Sequence, residues 1–323
     1  MNIFEDNPES SSGDSFPRPD PLPSSQAISP QSLSPGSADV PPGDPFIYGA
    51  THPQPFHFVE PAKRDIDVPW SWGNFFCFVP FALFSLVFIQ AVFMIYYIQI
   101  KAVSARPTQK ELQQLATSRP AFAVGSMVLW YALIFVFFYF TIRFFYGKPF
   151  WESLRWRKLN PEKSKLPAKP WLYLVSGVAL SFLVMVLTAR AKAPENAPIQ
   201  EILKNPKMAF AFMGMAVLIA PFAEETIFRA YLYPLFAKTF GIWPSIIFTA
   251  ILFGIMHGTQ LGWAWPIVLS LTGVGIVFAF VRSRTETVLA SYLMHLAYNS
   301  TLAFLFVIAY FAAKYGKISP PLH

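Results

Sequence analysis

Long apolar stretches dominate the chain after residue 68 and predict its architecture. The first three each hold about 20 apolar residues or more, which is enough to cross a bilayer as a helix, and we read the others as spans as well. The stretches lie near 72–99, 121–142, 171–189, 208–237, 242–257, 263–281 and 287–311. Pro221 falls inside the fourth of them and predicts a kink there. The pattern therefore predicts an all-α, polytopic transmembrane helical bundle of seven spans, or eight if the fourth stretch breaks at Pro221.

The first 68 residues have a different composition, rich in Pro, Ser, Asp and Gly, as in "PRPDPLPSSQAISPQSLSPGS". Such a segment cannot bury enough apolar surface to offset the entropy lost on ordering. We therefore predict a disordered N-terminal tail over 1–68. The rest divides into N-terminal transmembrane helices with a basic loop over 69–169, a membrane core over 170–312 and a C-terminal tail over 313–323.

Composition supports a membrane protein and narrows its partners. Hydrophobic residues make up 54% of the chain, charged residues 13%, and the mean hydropathy is +0.40. The net charge of +7 comes without a long Lys/Arg run interleaved with aromatic residues, so we expect the lipid bilayer as a partner and no nucleic acid. A slight excess of Lys and Arg on one set of loops favours a cytoplasmic N-terminus. The single cysteine, Cys77, excludes an intramolecular disulfide.

Ionisable side chains are scarce within the predicted spans, which makes the few that occur informative. In the last third of the chain the only acids are Glu224, Glu225 and Glu286. Of the five histidines, only His257 and His295 fall within predicted helices. An ionisable group at membrane depth costs at least a few kcal/mol, so a cluster of them predicts a functional site.

The predicted helices place these groups at similar depths. At 1.5 Å per residue, Glu224 lies about 20 Å before the helix end at Ala237, and His257 lies about 22 Å after the helix start at Ile242. An antiparallel pair of helices would set this carboxylate beside the imidazole. His295 lies about 12 Å into the last helix, so the three side chains could converge.

Spacing within each motif predicts which side chains share a face. Glu225 and Arg229 are four residues apart in the favourable order for an ion pair. Glu224 points about 100° away from Glu225 and is free to face a cavity. His295 and Asn299 are also four apart, so an imidazole and an amide donor would point at one spot.

This set of groups suits the hydrolysis of an amide. A glutamate in a pocket of low dielectric constant can act as a general base near neutral pH, and Glu224 beside an imidazole could activate water. Two further donors could stabilise the oxyanion that forms when water adds to a peptide carbonyl. Phe253, one turn before His257, would wall the pocket. A purely structural interpretation is the alternative for each group. In it, the ion pair, the histidines and the amide only join helices.

Three motifs occur in order on the predicted membrane helices: EExxxR (Glu224, Glu225, Arg229), FxxxH (Phe253, His257) and HxxxN (His295, Asn299). In this order they resemble the CPBP intramembrane protease family. That family includes the type II CAAX prenyl endopeptidases and the Abi-type bacteriocin-immunity proteins. The resemblance covers about residues 170–312.

The resemblance implies an intramembrane endopeptidase that acts on a membrane-associated peptide or protein substrate. Glu224 and His257 would activate water, and His295 and Asn299 would stabilise the oxyanion. Glu225, Arg229 and Phe253 would support the site. These roles are what the resemblance implies for the matching positions of this chain.

The cofactor, two other functions and the compartment remain open to test. With no HExxH helix and no Cys cluster we favour a site without metal; a zinc ion would use Glu224, His257 and His295. A non-catalytic bacteriocin-immunity or adaptor protein is one alternative, and a transporter with buried proton-relay residues is another. The absence of an internal repeat disfavours the transporter. We expect an integral protein of a bacterial inner membrane, while the substrate, and whether it is prenylated, stays open.

Overall fold

The computed structural model describes residues 66–100, 108, 111 and 119–316. Every regular element in these residues is helical, which confirms the predicted all-α class. Residues 1–65 of the predicted N-terminal tail and residues 317–323 of the predicted C-terminal tail lie outside the described residues. The domain division stays a prediction.

The helices of the described residues follow one another with short connections. They are α1 (Trp72–Ile100), α2 (Pro120–Tyr139), α3 (Phe150–Ser153), α4 (Pro170–Thr188), α5 (Pro198–Lys204), α6 (Pro206–Leu218), α7 (Ala220–Glu225), α8 (Tyr233–Phe240), α9 (Ile242–Met256), α10 (Trp265–Thr285) and α11 (Val288–Tyr315). A π-helical segment, Phe140–Phe145, continues α2, and a second, Thr226–Leu232, joins α7 to α8.

Proline marks the start of many of these helices. Pro120, Pro170, Pro198 and Pro206 each occupy the first position of their helix. The first N–H groups of a helix have no partner within the helix, so the missing N–H of proline costs nothing there. The positions of these prolines in the sequence therefore indicate where the helices start.

Six helical stretches of the described residues are long and apolar enough to cross a membrane. They are Trp72–Tyr96, Pro120–Phe145, Pro170–Thr188, Pro206–Phe240, Trp265–Thr285 and Val288–Tyr315. The remaining predicted span, 242–257, corresponds to α9, which has 15 residues and is therefore about 22 Å long. The hydrocarbon core is about 30 Å thick, so α9 is too short to cross it alone. If α9 begins at one membrane interface, its C-terminal end lies inside the membrane.

The kink predicted at Pro221 is a full break in the helix. Ile219 separates α6 from α7, with φ −113° and ψ −49°. Pro221 has no N–H to donate to the carbonyl four residues before it, so the hydrogen-bond ladder is interrupted there. The π-helical segment Thr226–Leu232 follows within one turn. Glu224 and Glu225 thus lie on a short helical piece between two irregularities, whose direction the neighbouring helices set.

Small residues allow the closest helix contacts. A Cβ added to Gly177 of α4 would overlap the carbonyl oxygen of Met294 on α11, and one added to Gly275 of α10 would lie 3.0 Å from the Cα of Ala250 on α9. Lipid is as apolar as most side chains, so close backbone approach through small residues replaces the hydrophobic effect as a source of helix association. These contacts fix α11 and α10, which both line the candidate site.

Helices α1 and α2 pack on the core through indole hydrogen bonds. Trp70, just before α1, donates from Nε1 to the carbonyl oxygen of Tyr231 at 3.1 Å, and the two rings stack with centroids 5.1 Å apart. Trp130 of α2 donates to the carbonyl oxygen of Ala82 on α1 at 2.8 Å. Val68, at the end of the predicted tail, is buried in the same apolar cluster. The N-terminal helices are therefore part of one core with the motif-bearing helices.

The Gly177 contact generates the first prediction. Gly177→Ala should lower the melting temperature of the purified protein, because the new methyl group meets backbone that cannot move aside and overpacking costs about 1–3 kcal/mol. Gly273→Ala is the matched control, since nothing lies within 4 Å of a Cβ at that position. Equal melting temperatures for the two variants would contradict the close α4–α11 contact.

Candidate active site

A fully buried ion pair lies at the centre of the site. Arg229 Nη1 lies 3.0 Å from Glu225 Oε1, and neither side chain is exposed. Arg229 Nη2 also donates to the carbonyl oxygen of Gly275 on α10 at 3.1 Å. The guanidinium lies over the rings of Phe253, 4.6 Å from its centroid, and Phe278, at 5.4 Å. The ion pair, one hydrogen bond and aromatic faces thus compensate in part for the water that this cation has lost, while Nε and Nη1 have no hydrogen-bond partner among the described residues.

His295 joins the two glutamates. Its Nδ1 lies 3.0 Å from Glu225 Oε1, and its Nε2 lies 3.7 Å from Glu224 Oε2. An ionised carboxylate only accepts hydrogen bonds. Nδ1 of His295 therefore carries a proton and donates a hydrogen bond to Glu225. The ring packs on Phe278, with centroids 4.8 Å apart. Because His295 belongs to α11 and both glutamates to α7, these contacts fix the two helices relative to each other.

Glu224 is the more accessible of the two carboxylates. Its side chain is 13% exposed, whereas that of Glu225 is fully buried. Its Oε1 accepts a hydrogen bond from the hydroxyl of Tyr131 on α2 at 3.4 Å. Neighbouring residues of a helix point about 100° apart, which accounts for one buried and one accessible glutamate. Glu224 is therefore the carboxylate that a substrate or a water can reach.

These contacts form one continuous polar chain through the bundle. It runs from Arg229 to Glu225, then to His295, then to Glu224 and finally to Tyr131. Its side chains come from four elements, namely the π-helical segment Thr226–Leu232, α7, α11 and α2. A chain of this kind holds its accessible end, Glu224, in a defined orientation.

His257 lies elsewhere than the sequence predicts. It follows the last residue of α9 instead of lying inside the helix, and its Nδ1 lies 2.8 Å from the carbonyl oxygen of Phe253. A carbonyl only accepts, so Nδ1 carries the proton and Nε2 holds a lone pair. The structure has no direct hydrogen bond between the described side chains of His257 and Glu224. The ring of Phe253 packs on both His257 and His295, with centroids 4.9 and 5.8 Å apart.

Within the described part of the chain, the structure shows no hydrogen bond between His257 and Glu224, and the joint action of the two groups stays a prediction. The physical reason is local: α9 ends before His257, and the carbonyl one turn back is the acceptor within reach. Phe253 packs against His257, as the sequence predicts, but it also separates the two imidazoles. Any joint action of Glu224 and His257 needs a water or a substrate between them.

Asn299 joins two helices. Its Nδ2 donates to the carbonyl oxygen of Ala216 on α6 at 2.8 Å. This carbonyl lies in the last turn of α6, just before the break at Ile219, where carbonyl groups lose their helical partners. The amide therefore does not point at the same group as His295, and its role as an oxyanion donor stays a prediction.

Tyr131 is the contact that sequence reasoning missed. It lies in the apolar run "MVLWYALIFVFFYF" and in none of the three motifs. Its only signal is a phenol within a span, where a buried hydroxyl usually finds a partner. Since the chain has 13 tyrosines, that signal does not single out Tyr131.

The donor set does not fit the hypothetical zinc site. Within residues 66–100, 108, 111 and 119–316, no three His, Cys, Asp or Glu side chains are grouped so that they could hold a metal ion. Of the three predicted ligands, Glu224 and His295 lie close together, but His257 is turned to the Phe253 carbonyl. We derive no step through a metal.

Comparison with known proteins agrees with the motif resemblance. Residues 206–301 match the family described as Type II CAAX prenyl endopeptidase Rce1-like. The matched part holds all three motifs, while Tyr131 lies outside it. The same comparison found no match among curated proteins or among solved structures.

The buried ion pair generates the second prediction. Arg229→Ala should greatly reduce the yield of folded protein, because removal of one partner of a buried pair costs about 3–5 kcal/mol. The readouts are the monodisperse fraction after detergent extraction and the melting temperature. Arg143→Ala, which removes an exposed arginine of the other π-helical segment, should leave both unchanged. Wild-type stability of Arg229→Ala would show that the pair is not structural.

Proposed function

We propose that this chain, of which residues 206–301 match the Type II CAAX prenyl endopeptidase Rce1-like family, hydrolyses a peptide bond of a membrane-associated substrate. The proposal rests chiefly on one observation. Glu224 is a partly accessible carboxylate held between His295 and Tyr131, beside a fully buried ion pair. A bundle that needed only a structural ion pair would have no use for a second, accessible glutamate at this depth.

Glu224 is proposed to be the general base. A water between Glu224 and His257 would give a proton to the carboxylate while its oxygen adds to the carbonyl carbon of the scissile bond. The C–N bond of the tetrahedral intermediate then breaks, and the proton held by Glu224 passes to the leaving nitrogen. His257 is suited to hold this water, because its Nε2 carries a lone pair that can accept a hydrogen bond.

His295 is proposed to stabilise the oxyanion. The buried cluster holds the carboxylates of Glu224 and Glu225 and one guanidinium, so a protonated His295 would bring its total charge to zero. As an imidazolium, His295 donates from Nδ1 to Glu225 and presents a second N–H from Nε2 on the side of Glu224. A positive charge held in place before the reaction stabilises the negative charge that develops in the transition state. Asn299 has one further amide N–H that could act with it.

An open apolar groove is proposed to hold the lipid group of a lipid-modified substrate. The groove has a volume of about 240 Å³ and is lined by Phe135, Val136, Tyr139, Phe140 and Phe150. Phe135 stacks on Phe222, two residues before Glu224, with ring centroids 5.2 Å apart. A farnesylated peptide ending in a CaaX sequence is therefore the first substrate to test. A bacterial inner membrane is the compartment that we propose.

The third prediction concerns the reacting groups. Glu224→Gln and His257→Ala should each reduce cleavage of the farnesylated peptide by a factor of at least about 100 while extraction and melting temperature stay at wild-type values, since a positioned acid or base contributes about 10²–10⁴-fold. Glu286→Gln, at the α10–α11 connection, is the control and should keep the activity. Full activity of Glu224→Gln would exclude Glu224 as the base, and a wild-type cellular phenotype of the double variant would favour a non-catalytic binding protein.

The fourth prediction separates a carboxylate base from a metal-bound water. Purified protein should contain far less than about one equivalent of metal and should keep its activity in a strong chelator. Its activity should fall as the pH drops, because a general base must be ionised. One equivalent of zinc, together with loss of activity to the chelator, would instead show that the ion activates the water.

A further inference from the structure

Tyr131 is the one contact of Glu224 that comes from outside the three motifs. Its side chain is 7% exposed and lies in the largest apolar cluster of the described residues. Its hydroxyl donates to Glu224 Oε1 at 3.4 Å, while the other oxygen, Oε2, faces His295. The two oxygens of the proposed base are thus directed to different partners on different helices.

The position of Tyr131 is itself constrained. Its neighbour Trp130 donates to the carbonyl oxygen of Ala82 at 2.8 Å, and the Trp130 and Tyr131 rings pack with centroids 5.4 Å apart. One helical turn before Trp130, Ser126 accepts a hydrogen bond from Gln90 of α1 at 3.3 Å. The contact between α1 and α2 therefore sets the height of the Tyr131 hydroxyl in the bundle.

A tyrosine needed only for packing would not place its hydroxyl on this carboxylate. Tyr231 shows the contrast: it is buried in the same cluster, stacks on Phe138 with centroids 4.3 Å apart, and its hydroxyl has no hydrogen-bond partner among the described residues. The core thus tolerates a buried phenol without a partner. The Tyr131–Glu224 contact is a separate feature of the site.

We propose that Tyr131 is a positioning residue for the reaction, which holds the Glu224 carboxylate turned so that Oε2 lies on the side of His295. The inference rests on the proposed function and adds a residue from α2 to it. A hydroxyl that donates to a carboxylate stabilises its charged form and restricts its rotation. Helices α1 and α2 then complete the active site, although they lie outside the family-matched residues.

The test compares Tyr131→Phe with wild-type protein on the farnesylated CaaX peptide in detergent or proteoliposomes. We expect kcat to fall about tenfold, which corresponds to the loss of one hydrogen bond to a charged group, with KM within about twofold. The groups that face Glu224 in this experiment are Tyr131 and His295, with Glu225 and Arg229 behind them.

Tyr231→Phe is the matched control and should keep the wild-type kcat and KM. A Tyr131→Phe protein with wild-type kcat would overturn the proposal. A fall in activity that appears in KM instead of kcat would also overturn it, since a positioning residue acts on the reaction step and not on substrate binding.

A second measurement needs no substrate and separates this inference from the proposed function. Melting temperatures are compared for wild type, Tyr131→Phe, Glu224→Ala and the double variant. If the hydroxyl holds the carboxylate, Tyr131→Phe lowers the melting temperature when Glu224 is present and has little effect in the Glu224→Ala background. Equal effects in both backgrounds would overturn the contact. If the two substitutions are coupled but the protein cleaves no peptide, the Tyr131–Glu224 contact is supported and only the proposed function is contradicted.

Discussion

The buried pair of Glu225 and Arg229 is the interaction on which the rest of the site depends. Two full charges without exposure are costly at membrane depth, and they persist only when other groups compensate for the lost water. Arg229 receives this compensation from the Gly275 carbonyl and from aromatic faces, and Glu225 receives it from His295. These groups come from α9, α10 and α11, so the pair holds three further helices around one point. Glu224, the next residue, takes its position from that arrangement.

The irregular backbone around this pair follows from the same constraint. Between Ile219 and Leu232 the chain passes through a break, one and a half turns of α-helix and a π-helical segment. A regular helix would have satisfied its own carbonyl groups, whereas here Asn299 donates to one of them from α11. Irregular backbone is tolerated in a bilayer only where protein groups replace the missing hydrogen bonds. Pi-helical turns are often found at functional sites, and this one carries Arg229.

The end of α9 and the position of α2 give the site its asymmetry. Because α9 is shorter than a bilayer, His257 comes at its C-terminal end and is fixed in one tautomer by its own helix. Tyr131 reaches Glu224 from the opposite part of the chain, held at its height by α1. The proposed catalytic groups on the described helices are thus held by backbone, by side chains and by a helix that carries none of the motifs. Such support is what keeps a reacting carboxylate in one orientation.

The sequence by itself determined the helical class, the apolar segments and the seven motif residues, because apolar runs and residue spacings depend only on the order of residues along the chain. It also predicted the Glu225–Arg229 pair, since residues four apart on a helix meet whatever surrounds them. Only the tertiary structure decided that His295, and not His257, contacts the glutamates, and that Tyr131 joins them. Contacts between helices depend on their lengths, crossing angles and rotations. His257 lies at the end of α9 with its imidazole on the Phe253 carbonyl, and the chain's spacing alone does not encode that choice.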